Sequence, residues 1–142
     1  MRFQIKVALL LIIAPWLAIN GTSLASDWKY VGVAGLSTGE YKVYVDLKKL
    51  EKHDAVVIMH ELHDFRFEQF APQGGYKSLT QKWEYECKDS LIRALDKTLY
   101  RDRMGKGPVI SQLKAKDVDW LEVIPGEAIE AKWRVACALA KG

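Results

Sequence analysis

The chain has 142 residues, with 21 Lys or Arg and 18 Asp or Glu, and a formal net charge of +3. This length predicts one domain that buries roughly two thirds of the surface of its unfolded chain. Because basic and acidic residues are mixed along the chain, the charge gives no support for nucleic-acid binding.

The first 25 residues have the pattern of a cleaved secretory signal peptide. A short basic start precedes an apolar run over residues 7–19, and small residues stand before a predicted cleavage between Ala25 and Ser26. The apolar run is shorter than the roughly 20 residues that a membrane-spanning helix needs. Removing 25 of the 142 residues leaves 117, with 19 basic residues against 18 acidic ones and a net charge of +1. No cysteine lies near the cleavage site to carry a lipid. We therefore expect residues 26–142 to form a single exported domain without a membrane span, either periplasmic or secreted to the cell surface.

The first half of this domain predicts short strands separated by turns. Residues 28–33 and 41–45 are rich in β-forming residues, and Gly39 between them can supply the positive φ of a hairpin, so we expect the two strands to pair. Residues 46–50 predict one helical turn. The charged residues 51–54 predict a polar turn, and the apolar run 55–59 then begins a third strand.

The clearest strand covers residues 78–88, where apolar and polar side chains alternate. The alternation predicts a sheet with one face in water, and it places Cys87 on the core face. Residues 91–100 form a further strand, the glycines and proline of residues 105–108 interrupt the chain before residues 109–110, and residues 120–124 close the sheet.

After Pro125 the apolar spacing changes to that of a helix, and Cys137 lies on its apolar face. The two cysteines of the chain allow one pairing, and exported thiols meet an oxidising compartment. We predict a disulfide between Cys87 and Cys137, and with it an α+β fold: an antiparallel sheet of about six strands with a C-terminal helix packed on one face and tied to it by the bridge.

An ordered set of residues over nearly the whole domain resembles the surface-adhesin protein E family of Gram-negative bacteria. The set comprises Trp28, Tyr44-Val45-Asp46, Tyr76-Lys77-Ser78, Tyr85-Glu86-Cys87, Tyr100, Met104-Gly105-Lys106-Gly107, Trp120, Ile124-Pro125-Gly126 and Trp133-Arg134-Val135-Ala136-Cys137. The resemblance implies the fold just described and a role in adhesion, through binding of host matrix and serum proteins such as laminin and vitronectin. The family's binding stretch corresponds to residues 71–77, in which Lys77 is the only charged residue. Tyr76 and Lys77 are the candidate ligand-binding residues.

The segment His60-Glu61-Leu62-His63-Asp64 is the one cluster to weigh as a metal or enzyme site. Its histidines are three residues apart, whereas the helical zinc-protease pattern needs four. In a strand His60 and His63 would point to opposite faces, and in a loop they could share an ion. We find no phosphate-binding loop and no nucleophile pattern, and we predict no catalytic, cofactor or metal residues.

The tryptophans and the lysines add two weaker expectations. Trp83 and Trp133 fall on core faces, whereas Trp28 and Trp120 could serve as platforms for a carbohydrate or a peptide. A basic patch for anionic ligands could gather from Lys77, Lys82, Lys88, Arg101, Arg103 and Lys106.

The function that these observations favour is non-enzymatic binding of a protein partner in adhesion. The alternatives are a periplasmic accessory protein of the envelope and, less favoured, a metal-dependent envelope enzyme. Exposed sheet edges also allow a homodimer.

Overall fold

The computed structural model describes residues 26–35 and 39–141, which form one antiparallel sheet and one helix. The predicted signal peptide lies outside the described residues. The strands are β1 Trp28–Ala34, β2 Tyr41–Asp46, β3 Glu51–His53, β4 Val56–Ala71, β5 Gly74–Glu86, β6 Leu91–Tyr100, β7 Val109–Leu113 and β8 Leu121–Glu122, and the helix is α1 Ala128–Leu139. Two 3-10 turns, Leu47–Lys49 and Arg103–Gly105, complete the elements that matter here.

The sheet has eight strands, so the expectation of about six was too low. Six strands lie side by side in the order β1-β2-β4-β5-β6-β7, while β3 pairs with β4 and β8 pairs with β6. Residues 51–53 form β3, and their prediction as part of a polar turn was wrong. Their side chains are exposed, so this strand has no apolar alternation and only its backbone pairing to β4 marks it. The predicted pairing of the first two strands and the helical turn after Asp46 are confirmed.

Strands β4 and β5 are longer than the sequence predicted, and they form the central hairpin of the fold. β4 covers 16 residues and continues to Ala71, because a two-residue turn brings Ala71 directly opposite Gly74. Their register shifts between Asp64 and Gln69, where β4 has extra residues that β5 does not match. The strands β1 and β7 are the edges of the six-stranded order, where pairing with a second copy of the chain stays a prediction.

One face of the sheet is covered by α1, as predicted. The core beneath the helix is built on buried Val45, Val57, Met59, Tyr85, Ile92 and Ala136. The disulfide between Cys87 and Cys137 is confirmed, with 5.6 Å between the two Cα atoms, and it ties the residue after β5 to the last turn of α1. The indole Nε1 of Trp133 donates a hydrogen bond to the Glu86 carbonyl at 2.9 Å, a second link across the same junction.

The opposite face is not uniformly exposed, which corrects the expectation of one wet face. The turn Arg103–Gly105 covers Ser78 and Asp64, both of which are buried. The Ser78 hydroxyl donates to the Asp102 carbonyl at 2.5 Å and accepts from the Gly105 N–H at 2.9 Å. Alternation along β5 could not show this, because the covering residues come from a separate segment more than 20 positions further along the chain.

Candidate functional site

The two candidate binding residues lie near the end of the β4–β5 hairpin, in the segment 65–77 that we call the hairpin tip. Tyr76 is half-buried and packs edge-on against Phe65, with 5.6 Å between the ring centroids. Phe65 itself lies in a second small core with Leu79 and Leu99. Lys77 is exposed. Tyr76 therefore stabilises the base of the hairpin tip, Lys77 faces solvent, and a binding role for either residue stays a prediction.

Two aromatic side chains of the hairpin tip were missed by the sequence analysis. Phe67 is 50% exposed and Phe70 is 79% exposed, the largest exposure among the large hydrophobic side chains of the described residues. The Arg66 guanidinium lies over the Phe67 ring, 5.2 Å from its centroid. The sequence itself indicated an aromatic segment here, because three phenylalanines occur within the six residues 65–70. Only the register shift of β4 separates the buried Phe65 from the two exposed rings.

The His60–Asp64 segment is part of β4, and its two histidines lie on opposite faces of the sheet. His60 is half-buried on the face opposite α1, whereas His63 is buried on the helix side. They therefore cannot chelate one ion, and the loop geometry that would have allowed it does not occur. Within residues 26–35 and 39–141 no three His, Cys, Asp or Glu side chains are grouped so that they could hold a metal.

His63 belongs to a buried polar group under α1, which we call the Glu61 cluster: Glu61, His63, Tyr85 and Lys132. One carboxylate oxygen of Glu61 accepts a hydrogen bond from the Tyr85 hydroxyl. The other oxygen is 2.9 Å from His63 Nε2 and 2.8 Å from Lys132 Nζ. Glu61 and Tyr85 are fully buried, and Lys132 reaches them from the helix. The cluster thus joins β4, β5 and α1 through one carboxylate.

The charges of the Glu61 cluster follow from burial and from the close partners. Burial by itself would raise the pKa of Glu61, but the hydrogen bond to His63 and the charge of Lys132 together lower that pKa below its ordinary value. Burial lowers the pKa of His63, and the charge of Lys132 adds to this effect against the opposing hydrogen bond to Glu61. At neutral pH the cluster holds an ionised Glu61, a charged Lys132 and a neutral His63 that donates from Nε2.

The tryptophans divide largely as the sequence predicted. Trp83 and Trp133 pack against the core beneath α1, and the Lys132 ammonium lies 5.1 Å from the Trp83 ring centroid. Trp120 lies under the Arg93 guanidinium, 4.4 Å from its ring centroid. Trp28 lines a groove on the face opposite α1. Two residues of the expected basic patch instead form ion pairs with acidic residues. Arg103 contacts Asp64, and the Lys82 ammonium lies 3.8 Å from a Glu51 carboxylate oxygen.

Among the residues that the structure describes, none of the helices has the length and apolar character needed to cross a membrane.

The fold and its surfaces define a small disulfide-tied sheet domain that offers exposed aromatic side chains. The model of the surface-adhesin protein E family matches residues 28–138, and the chain belongs to this family. The family expected from the sequence is therefore confirmed, and this membership is consistent with an adhesion-related surface protein.

Solved structures of Haemophilus influenzae protein E have the same fold. Crystal form II of that protein superposes with a TM-score of 0.61 at 13% sequence identity, covering 80% of this chain and 90% of the other. Protein E from a non-typeable Haemophilus influenzae gives a TM-score of 0.56 at 15% identity, covering 78% and 84%. No curated protein matches the chain. At these sequence identities, the similarity to the solved structures shows a shared fold.

Proposed function

We propose that this chain is an exported, non-enzymatic binding domain that takes part in adhesion and holds its protein partner through the hairpin tip. The observation that carries the proposal is the pair of exposed rings, Phe67 and Phe70, on a paired antiparallel hairpin. Exposed aromatic side chains are typical of protein-binding sites, where burial against a partner repays their exposure to water.

The surroundings of the two rings support a protein partner. The Arg66 guanidinium lies over the Phe67 ring, so this exposed ring has a cationic neighbour. Aromatic residues and arginine are the side chains that contribute most to protein interfaces. The backbone pairing of Gln69 with Tyr76 and of Ala71 with Gly74 holds the hairpin tip in place before binding, which lowers the entropy cost of association.

The Glu61 cluster supports a binding role over a catalytic one. Both carboxylate oxygens of Glu61 are bonded within the cluster, and Glu61 and Tyr85 have no exposed surface through which a substrate could reach them. Its chemistry is that of a buried connection between the helix and the sheet.

Replacing both exposed rings, as Phe67→Ser with Phe70→Ser, tests the binding role directly. Immobilised laminin and vitronectin serve as probes because the family resemblance implies these ligands. We expect the double variant to raise the Kd for at least one of the two probes about tenfold or more, as loss of a central aromatic contact does at other interfaces.

Leu121→Ser is the matched control, because Leu121 is also about half-exposed but lies on β8, far along the chain from the hairpin tip. It should bind both probes like the unchanged protein. Equal binding by the double variant and the unchanged protein, or failure of the unchanged protein to bind either probe, would contradict the proposal.

The place of action has its own test, because an adhesin has to reach the outer surface and a periplasmic accessory protein does not. We propose cleavage after Ala25, as the N-terminal pattern indicates. Mass spectrometry of the mature chain should find Ser26 as its first residue. Protease added to intact cells should degrade this mature chain. Protection in intact cells with degradation only after outer-membrane lysis would reject surface display and favour the periplasmic role.

A further inference from the structure

The sheet face opposite α1 carries two shallow grooves that lie side by side and share two lining residues. The first has a volume of about 190 Å³ and runs beside His60, Thr80 and Lys82. The second, also about 190 Å³, is lined by Trp28 and shares His60 and Thr80 with the first. We call the side chains His60, Thr80, Lys82, Asp96, Thr98 and Gln112 the polar shelf. The polar shelf is separate from the hairpin tip, and nothing assigned so far to the chain uses it.

The strand register arranges the polar shelf in rows across the sheet. Thr80 of β5 lies directly opposite Thr98 of β6, which lies directly opposite Gln112 of β7. In the neighbouring row His60 of β4 lies opposite Lys82 of β5. The shelf therefore crosses four adjacent strands, or three inter-strand spacings of about 4.8 Å each, which makes a polar strip about 14 Å long. This length fits a short chain of linked rings better than a single small molecule.

The hydrogen-bonding groups of the polar shelf are mixed in kind. The Thr80 hydroxyl, which also lies 3.5 Å from the Tyr100 hydroxyl, and the exposed Gln112 amide both donate and accept, the Lys82 ammonium only donates, and the Asp96 carboxylate only accepts. Thr98 is buried between them. Burial, followed by the charges of Lys82 and Lys49, lowers the pKa of His60 below its ordinary value. His60 is therefore neutral at pH 7 and offers one donor and one acceptor.

The charge balance of the strip excludes a strongly ionic ligand as its best match. Lys82 and Asp96 have opposite signs within the first groove, and the two lysines that line the grooves already face acidic partners: Lys82 lies 3.8 Å from Glu51, and Lys49 lies 3.6 Å from Asp46. A polyanion would meet Asp96 and Glu51, and a polycation would meet Lys82. An uncharged ligand rich in hydroxyl groups, each of which both donates and accepts, matches such a surface.

Trp28 adds an aromatic surface at one end of the strip. It is half-buried, and the groove beside it is also lined by His60, Thr80 and Tyr100. A ring with apolar C–H groups on its face and hydroxyls at its rim can pack on an indole while its rim bonds to polar neighbours. Trp28 next to the mixed donors and acceptors of the polar shelf therefore suits a ring that carries hydroxyl groups.

We propose that the polar shelf binds a neutral oligosaccharide, with one sugar ring packed on Trp28 and the following rings hydrogen-bonded along the rows from His60 and Thr80 to Gln112. The site is independent of the hairpin tip, so the chain can hold a glycan and a protein on different surfaces.

A printed glycan array with neutral, sialylated and sulfated members tests the proposal, followed by titration of ¹⁵N-labelled protein with the best neutral oligosaccharide. A heparin hexasaccharide is the anionic comparator. We expect retention of neutral glycans, saturable amide shifts at residues 60, 80 and 112, and a shift of the Trp28 indole signal. No retention of a neutral glycan, or shifts confined to the α1 side of the sheet, would overturn the proposal.

Two variants make the assignment specific, with folding checked by circular dichroism. Trp28→Ala should weaken binding of the neutral oligosaccharide about tenfold, which corresponds to ~1.4 kcal/mol. Gln112→Ala changes an exposed side chain and should weaken binding about two- to tenfold through loss of one hydrogen bond.

Trp120→Ala is the matched control, because Trp120 is half-buried like Trp28 but lines neither groove. The Phe67→Ser, Phe70→Ser variant should keep full glycan binding, which separates this site from the hairpin tip. A larger loss of glycan binding from Trp120→Ala than from Trp28→Ala would reject the assignment. Unchanged glycan binding in both Trp28→Ala and Gln112→Ala would also reject it.

Discussion

Replacing Cys87 and Cys137 together by alanine is expected to lower the free energy of unfolding by about 4 kcal/mol. The bridge joins residues 50 positions apart, and in the chain-entropy account a closed segment of this length restricts the unfolded chain by that amount. Since small domains are stable by only about 5–15 kcal/mol, the loss is a large fraction of the total. Urea unfolding followed by tryptophan fluorescence measures it.

The unchanged protein treated with a reductant is the matched control for this variant. Reduction should destabilise the unchanged protein by a similar amount and leave the alanine variant unaffected, because the variant has no bond to break. Near-equal stability of the oxidised protein and the alanine variant would mean that packing, rather than the covalent link, holds α1 on the sheet.

Replacing Lys132 by methionine is the second change with a large expected effect, about 3 kcal/mol of destabilisation. Methionine preserves most of the side-chain volume but removes the ammonium that lies 2.8 Å from a fully buried Glu61 oxygen. Removing one member of a buried ion pair leaves the other charge without compensation, which costs about 3–5 kcal/mol. We choose the lower end of this range because His63 and Tyr85 still donate to Glu61. Chemical unfolding at pH 7 gives the comparison.

Arg134→Met is the matched control, since Arg134 lies on the same helix in a solvent-exposed ion pair with Glu130. It should leave the unfolding midpoint near that of the unchanged protein, because exposed ion pairs contribute little. A loss in the Arg134 variant equal to that in the Lys132 variant would attribute the effect to the helix surface and not to the Glu61 cluster.

Acid supplies an independent readout for Lys132→Met. The pKa of Glu61 is lower in the folded protein than the ordinary glutamate value of 4.5. This difference stabilises the fold at pH values above 4.5, and the stabilisation is lost as the pH falls through the folded-state pKa. Because Lys132 is one cause of the lowered pKa, its removal should move the acid unfolding limb to higher pH. An acid limb that stays at the same pH would show that Lys132 does not act through Glu61.

The parts of the fold that local patterns specify were predictable. Alternation placed Cys87 on the core side of its strand, helical spacing placed Cys137 on the core side of α1, and one pairing was available. These two positions sufficed to set the helix against the sheet. By contrast, β3 was missed because its exposed charged residues carry no apolar alternation, and β7 was not counted because only two apolar residues follow the glycines and proline of residues 105–108. These two strands account for the difference between six and eight.

The candidate sites depended on distant residues, which no local pattern contains. Glu61 contacts Lys132, which is 71 positions away in the sequence, and Tyr85, which is 24 positions away. The sequence around Glu61 therefore shows only a run of polar residues, and the partners become known from the folded structure. The exposed rings of the hairpin tip depended on a register shift that single-strand periodicity does not show. A platform role for Trp28 stays a prediction, and its groove includes residues of β4, β5 and β6, which no local pattern around Trp28 contains.

The position of the disulfide also determines what a single backbone cut can do to the molecule. Residues 87–137 form a covalent ring that contains β6, β7, β8 and most of α1. The exposed connections after Tyr100 and after Leu113 both lie inside this ring. An endoprotease that nicks either of them produces two chains that remain bonded to each other, and the C-terminal piece stays attached to β5. After such a cut the ring preserves one covalently joined molecule, whereas the same cut would separate an unbridged domain into fragments.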